Sequence, residues 1–173
     1  VTTRTAGFNS VDMTAMGPAT ITIIIVLMFI GGSPGSTAGG IKTTTAALLV
    51  AAVRAALRGR PEVALFGRRV PHFAVYRAAA IGALYSAVAI AAVVVLELTQ
   101  RLEPQTAIFE VVSALGTVGL TMGGTAQLDG VGEIVIMACM FLGRVGPLTL
   151  FMLLADREGR ERVKLPEEDV STG

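Results

Sequence analysis

Two short turns of one pattern offer closely spaced carbonyl and hydroxyl oxygens that could bind a cation: Thr5-Ala6-Gly7-Phe8 and Thr117-Val118-Gly119-Leu120. A cation leaving water needs oxygens in place of its hydration shell, and backbone carbonyls at the end of a pore helix supply them. Glycine at the third position permits the positive φ that turns successive carbonyls to one side. We therefore predict an ion filter, with the Thr5 and Thr117 hydroxyls as further ligands and with Phe8 and Leu120 packed behind the turns.

The two turns belong to a gapless repeat. At an offset of 112 residues Gly7 falls on Gly119, and Gly31 in the following apolar stretch falls on Gly143. One Thr-x-Gly-apolar turn is a weak signal, because a glycine after a helix is commonly a C-cap. The repetition favours a pore. So does the segment before the second turn, residues 105–116, which is helical in pattern but too short to cross a membrane.

Composition places the chain in a bilayer. Of its 173 residues 53% are apolar, and the mean hydropathy is +0.69. Residues 13–41 and 78–96 carry no charge, and residues 134–154 carry only Arg144. We predict an all-α membrane protein built of pseudo-repeats of outer helix, re-entrant pore helix, filter loop and inner helix. The spans are expected at 13–30, resuming near 41 after a break, at 74–98 and at 133–154.

The distribution of charges predicts how the chain is oriented across the membrane. Arginines dominate the loop at 58–73, the tail at 155–173 carries Arg157, Arg160, Arg162 and Lys164, and acidic residues dominate 97–133. By the positive-inside rule the basic loop and the C-terminus are cytoplasmic in a multi-pass protein of the plasma membrane. A formal net charge of +1 gives no reason to expect a nucleic-acid partner.

A glycine-rich break at residues 31–40 interrupts the first span. Irregular backbone at membrane depth is tolerated only where it is buried in protein or lines water, and an arginine inside a span is functional by default. Our hypothesis is a movable constriction below the filter, in which Arg144 binds carbonyls and hydroxyls of Ser33, Ser36 and Thr37. A static arginine paired with helix-end carbonyls is the alternative. The expected gate residues are Gly31, Gly32, Ser33, Pro34, Gly35, Ser36, Thr37, Gly39, Gly40, Lys42 and Arg144.

Several other residues have a functional and a structural interpretation. The stretch from Gly35 to Lys42 looks like a phosphate-binding loop, but Ile41 stands where that motif needs glycine before lysine. Cys139 is expected to be a buried thiol. Glu110 either supports the filter loop through hydrogen bonds or contacts solvent. Acidic residues near the outer mouth either concentrate cations or are simply solvated: Asp12, Asp129 and Glu133.

Five motifs carry a resemblance: VTTRTAGFNSVDM at 1–13, FIGGSPGSTAGGIKTTT at 29–45, FEVVSALGTVGLTMG at 109–123, FLGRVGPLTL at 141–150 and PEEDVSTG at 166–173. The sequence resembles the Trk/Ktr/HKT superfamily of potassium transporters, and within it the membrane subunit of the bacterial Ktr system. The resemblance implies four pseudo-repeats around one potassium pathway. Residues 1–57 would end the third repeat, 58–73 form the basic loop, 74–154 the fourth repeat and 155–173 the tail, so the chain would be a C-terminal fragment.

The same resemblance implies roles and partners. Gly7 and Gly119 would be filter glycines, and residues 31–40 the intramembrane gating loop that Arg144 faces. The partners would be the missing N-terminal repeats of the same subunit, a second copy in a membrane homodimer, and a cytosolic nucleotide-binding ring. Potassium would be transported and sodium could stimulate transport, with no cofactor bound by this chain. The pair Leu120-Thr121 departs from the Tyr-Gly of potassium channels, which leaves fewer carbonyl rings.

Two other function classes compete with transport. A membrane enzyme is disfavoured, because the spans hold no paired carboxylates, metal-ligand cluster or nucleophile-base pair. A non-conducting interaction module, such as a truncated remnant, stays open as the alternative to a potassium-translocating subunit.

Overall fold

The computed structural model describes residues 2–9, 12–60, 62–65 and 67–146, and within them the chain is mainly helical. The Thr5 side chain, the end of the expected last span at 147–154 and the tail at 155–173 lie outside the described residues. The elements are α1 (Pro18–Phe29), α2 (Thr43–Leu57), β1 (Ala64–Leu65), β2 (Arg68–Arg69), α3 (His72–Thr99), α4 (Pro104–Leu115) and α5 (Gly130–Val145). Short helical turns cover Thr2–Ala6, Met13–Ala15 and Thr125–Gln127.

The first span begins later than expected. Met13–Ala15 is a separate 3-10 turn, capped by Asp12, whose carboxylate accepts a hydrogen bond from the Thr14 N–H at 2.9 Å. Proline lacks an N–H and clashes with a preceding turn, so it suits the first position of a helix but does not continue one. The helix therefore starts at Pro18 and not at Met13.

The expected break after α1 is present, and its two ends are tied together. The Gly31 N–H donates to the Ile41 carbonyl at 2.9 Å, and the Ile41 N–H donates to the Phe29 carbonyl at 3.1 Å. The Thr43 N–H then donates to the Gly32 carbonyl at 3.1 Å, and α2 begins there, two residues later than expected. Residues 31–40 thus form a loop that leaves the helix and returns to the same level.

In the described part of the chain, α3 is the helix long and apolar enough to cross a membrane, with 28 residues. α1 and α2 are shorter apolar helices of 12 and 15 residues. At 1.5 Å per residue they measure about 18 Å and about 22 Å, less than the roughly 30 Å of a hydrocarbon core. Either would therefore cross only together with the other, as one broken helix.

The basic loop between α2 and α3 contains the small hairpin. β1 pairs with β2 in antiparallel register, with Ala64 opposite Arg69 and Leu65 opposite Arg68. Arg69 also forms an ion pair with Glu62 at 2.7 Å. This ion pair is half exposed and contributes little to stability. The hairpin gives the loop a defined shape that the sequence analysis did not predict.

The short helix α4 is the centre of the fold. It packs against α1, α3 and α5. One apolar cluster joins it to α1 through Met28, Phe109 and Leu120. A second cluster joins it to α3 and α5, and Cys139 is buried there, as expected. α4 is therefore enclosed on several sides, which suits a helix that does not itself cross a membrane.

Helix α5 passes the C-terminal end of α4 at a glycine. A Cβ at Gly143 would overlap the carbonyl oxygen of Leu115. The two backbones are in contact there, and no larger residue fits without moving one of the helices.

We expect Gly143→Ala to lower the thermal stability of the purified protein, because overpacking a tight contact costs roughly 1–3 kcal/mol. Gly130→Ala is the matched control in the same helix, since a Cβ there meets no atom within 4 Å. The measurement is the Tm of both variants in detergent by size-exclusion chromatography after heating. Equal Tm values would show that this contact does not constrain α5.

Candidate ion filter and intramembrane loop

The two glycine turns, far apart in sequence, lie against each other. Both glycines have positive φ, 64° at Gly7 and 88° at Gly119. A Cβ at Gly7 would stand 2.6 Å from the carbonyl oxygen of Val118, and a Cβ at Gly119 would stand 3.8 Å from the Gly7 Cα. The conformation and the close approach both require glycine at position 7. The structure thus brings together the two turns that the repeat singled out.

Helix α4 holds the second turn through Ser113. The Val118 N–H donates to the Ser113 carbonyl at 2.9 Å, and the Ser113 hydroxyl donates to the Leu120 carbonyl at 2.6 Å. The Leu120 side chain is 3% exposed, so it packs behind the turn as expected. Its carbonyl, however, is turned toward α4. Ser113 is a residue that the sequence analysis missed, and the sequence feature that could have identified it is a hydroxyl within the apolar stretch 111–115.

The expectation for Phe8 is wrong: its side chain is 82% exposed. Leu120 is covered because α4 precedes its turn and supplies Phe109 to the same cluster. Among the described residues, only the short turn Thr2–Ala6 precedes Phe8, and it offers no comparable surface. Within the described residues the two turns therefore share a positive φ at glycine but differ in the packing of the side chain that follows it.

Thr117 has an unusual backbone and an unexpected partner. Its φ is 53°, in the left-handed region that β-branched residues avoid. Such a conformation costs of order 1–3 kcal/mol and persists only where the surroundings enforce it. The Thr117 Oγ1, expected to be an ion ligand, accepts a hydrogen bond from the Gly39 N–H at 2.8 Å. The turn at 117–120 is thereby joined to the 31–40 loop.

Two cationic side chains bind the carbonyls of the loop. The Arg144 Nη1 donates to the Thr37 carbonyl at 2.7 Å, one of the contacts expected from sequence. The Lys42 Nζ donates to the Ala38 carbonyl at 2.7 Å and to the Ser36 carbonyl at 3.3 Å. Backbone oxygens that the broken helix leaves free are thus satisfied by charged donors.

The serines of the loop stabilise the loop itself. The Ser36 hydroxyl accepts from the Ala38 N–H at 3.1 Å, and the Ser33 and Thr43 hydroxyls are 3.5 Å apart. The expected hydroxyl contacts of Arg144 with Ser33 and Ser36 are not among its interactions in the described residues; Arg144 uses the Thr37 carbonyl instead. Local turn bonds of this kind are typical of serine in irregular backbone.

The loop meets the C-terminal end of α4 at Gly39. A Cβ there would stand 2.8 Å from the Leu115 carbonyl oxygen. The Tyr85 hydroxyl donates to that same oxygen, and its ring packs edge-on against Phe29 at a centroid distance of 5.5 Å. Tyr85 is 2% exposed and was not predicted as part of the site. The sequence feature that could have identified Tyr85 is a hydroxyl in the middle of an apolar span.

Glu110 supports the segment that follows the second turn. Its side chain is 4% exposed, which decides between the two alternatives in favour of hydrogen bonding. Oε1 accepts from the Thr121 hydroxyl at 2.5 Å and from the N–H groups of Met122 and Gly124 at 3.0 and 3.1 Å. Oε2 accepts from the Thr125 hydroxyl at 2.6 Å. A buried carboxylate with this many donors fixes the course of residues 121–125.

Two of the three acidic residues that were expected near an outer mouth are helix caps. Asp129 caps α5, and the Gly132 N–H together with the Gln100 side-chain amide holds the pKa of Asp129 below its usual range. Asp12 caps the turn at Met13–Ala15, and the Thr14 N–H lowers the pKa of Asp12 in the same way. Glu133 is exposed in the first turn of α5. Asp12 and Asp129 therefore have structural partners and are not simply solvated.

A match to a family model shows which family the chain belongs to. A family model described as TrkH, cation transport protein, matches residues 1–160. The chain belongs to the TrkH family. The resemblance to the Trk/Ktr superfamily is thereby confirmed, and the family is one of transport proteins and not of enzymes, as expected.

Similar TrkH-family proteins include two bacterial uptake proteins. The Ktr system potassium uptake protein B of Bacillus subtilis (strain 168) is 39% identical over 173 residues, which are 100% of this chain and 39% of that protein. The potassium/sodium uptake protein NtpJ of Enterococcus hirae is 40% identical over 179 residues, covering 100% of this chain and 40% of that protein. The chain thus spans about two fifths of the length of these relatives.

A solved structure in the family shares the fold. The crystal structure of the potassium transporter TrkH from Vibrio parahaemolyticus matches with a TM-score of 0.74 at 24% sequence identity. The match covers 92% of this chain and 36% of that chain. The fold described above is therefore a TrkH-type fold.

We expect Glu110→Gln to loosen the segment after the second turn. Glutamine keeps the shape but presents an N–H₂ group where the carboxylate accepted, and a hydrogen bond to a charged group is worth about 1.5–3 kcal/mol. The Tm in detergent should fall. The control is Glu133→Gln at an exposed position of α5. A Tm drop of equal size in both variants would contradict a special role of the buried carboxylate.

Proposed function

We propose that this chain is part of a subunit for potassium uptake, in which residues 5–8 and 117–120 contribute to one ion filter. The observation that carries the proposal is the contact of Gly7 with Val118, which brings the two turns side by side. The second turn also contacts the loop that binds Arg144. The relatives support it, since one is named a potassium uptake protein and another a potassium/sodium uptake protein. Potassium would be carried, and sodium is a candidate stimulating ion.

The proposed organisation follows the charges and the broken helix. Residues 1–57 would end one pore repeat, 58–73 form a cytoplasmic loop, 74–154 a complete repeat and 155–173 a cytoplasmic tail in the plasma membrane. Because the chain spans about two fifths of its relatives, further repeats of the same subunit would complete the pore. A second copy and a cytosolic nucleotide-binding ring are the proposed partners. The hairpin with Arg68 and Arg69 offers a basic surface for such a ring.

The loop would act as the constriction. The C-terminal end of a helix carries partial negative charge, so the end of α4 at Leu115 favours a cation nearby. The 31–40 loop lies against that end through Gly39 and occupies the adjoining space. Arg144 holds the loop by the Thr37 carbonyl and adds a positive charge that opposes a passing cation. Release of this hydrogen bond would allow both the loop and the Arg144 side chain to move away from the path of the cation.

Uptake should depend on the second filter glycine. Aspartate at position 119 would have to adopt a φ of 88° and would place a side chain beside Gly7, so Gly119→Asp should abolish potassium uptake. The assay is growth and potassium uptake at low external potassium by the complete reading frame in an uptake-deficient bacterial host. Gly17→Asp is the control, because it adds the same charge at a helix N-cap with no atom within 4 Å.

A membrane-inserted protein without uptake would favour the alternative of a non-conducting module or remnant. Uptake that survives Gly119→Asp at normal protein level would remove the assignment of the filter residues.

Arg144→Ala should raise the maximal rate of uptake, by about tenfold for the loss of one charge-assisted hydrogen bond. The measurement is the initial rate of uptake per unit of membrane-inserted protein. The exposed Arg101→Ala serves as the charge-matched control. An unchanged rate at normal protein level would instead identify Arg144 as a static partner of the loop carbonyls.

A further inference from the structure

The Thr117 hydroxyl oxygen has two competing partners, a cation and the Gly39 N–H. As a filter residue Thr117 would offer this oxygen to a dehydrated cation. In the structure that oxygen accepts the Gly39 N–H at 2.8 Å, across 78 residues of sequence. The positive end of an N–H dipole and a cation are both attracted to the same lone pairs, and they repel each other.

The position of Gly39 against Thr117 is closely fitted. A Cβ at Gly39 would stand 2.8 Å from the Thr117 Cγ2 and 2.9 Å from its Oγ1. Gly39 itself is buried, and so is the preceding Ala38, which is 4% exposed. The loop therefore reaches the threonine only in a narrow range of positions.

The backbone of Thr117 is a second, independent observation. A φ of 53° at a β-branched residue is maintained against a conformational cost. With this backbone the hydroxyl bonds to the loop and not to its own helix. Residues held in such conformations cluster at switches and binding sites, where two arrangements compete.

We propose that Thr117 couples ion occupancy of the filter to the position of the loop. Its oxygen either accepts the Gly39 N–H, with the loop seated, or binds a dehydrated monovalent cation, with the loop released. By thermodynamic linkage the effect is reciprocal: a seated loop weakens cation binding, and a bound cation weakens seating by the same factor. This inference rests on the proposed function, because it takes Thr117 to be a filter residue.

The first test separates rate from affinity. Thr117→Val keeps the shape and removes the oxygen, so the Gly39 N–H loses its acceptor and the filter loses a ligand. We expect the maximal rate of uptake to rise about fivefold, the population change that one net hydrogen bond provides, and the KM for potassium to rise as well. Thr117→Ser keeps the oxygen and should reverse both changes. A merely structural role would lower the rate in Thr117→Val without this split.

The second test follows the loop without any transport. Ala38→Cys, in a variant whose other cysteines are replaced, reports release of the loop through its rate of reaction with a thiol reagent in purified protein. With Thr117 present, potassium should speed the labelling several-fold compared with choline. With Thr117→Val the labelling should be fast and independent of potassium. With Thr117→Ser the potassium dependence should return.

The outcomes distinguish this inference from the proposed function. No potassium uptake by the wild type, or uptake indifferent to Gly119→Asp, would count against the proposed function. Uptake that depends on Gly119, with a rate, KM and labelling unaffected by Thr117→Val, would overturn the coupling alone. If Thr117→Val does not fold, Gly39→Ala unseats the loop while the oxygen stays, and unchanged potassium-dependent labelling in that variant would overturn the coupling too.

Discussion

The carbonyl oxygen of Leu115, at the C-terminal end of α4, is the contact that positions the segments around α4. The last carbonyls of a helix have no partner within it and must find one elsewhere. Here the Tyr85 hydroxyl of α3 donates to Leu115, while Gly39 of the loop and Gly143 of α5 approach so closely that neither has room for a Cβ. Three segments are thereby positioned relative to the turn at 117–120, which begins two residues later.

Hydrogen bonds to its backbone groups explain how an irregular loop is stable inside an apolar bundle. Free backbone groups at that depth are costly unless something in the protein binds them. Arg144 and Lys42 bind loop carbonyls, Thr117 accepts the Gly39 N–H, and the loop ends bond to each other through Gly31 and residue 41. The Thr117 bond joins the loop directly to the turn at 117–120, and the Arg144 bond joins it to α5.

The far side of the turn is held by different chemistry. Glu110 is a buried carboxylate that accepts from Thr121, Met122, Gly124 and Thr125, and Ser113 binds Leu120. A buried charge is tolerated when it is fully hydrogen-bonded, and such a network specifies one conformation. The turn at 117–120 is thus fixed by α4 on one side, while on the other it contacts a loop that has no regular hydrogen-bond ladder.

The main helical elements follow from the sequence: glycine and proline place the break at 31–40, apolar stretches indicate α1 and α3, and the repeat locates both glycine turns. The hairpin and the start of α1 at Pro18 were not predicted. The sequence also located Arg144 near the break, because the repeat aligned the two. The tertiary structure decided what each side chain contacts. Phe8 and Leu120 have the same place in the repeat but opposite burial, and Tyr85, Ser113 and the Thr117 to Gly39 bond were not predicted. Periodicity and composition report local preference, whereas these contacts join segments far apart in the chain and exist only once α4 is enclosed.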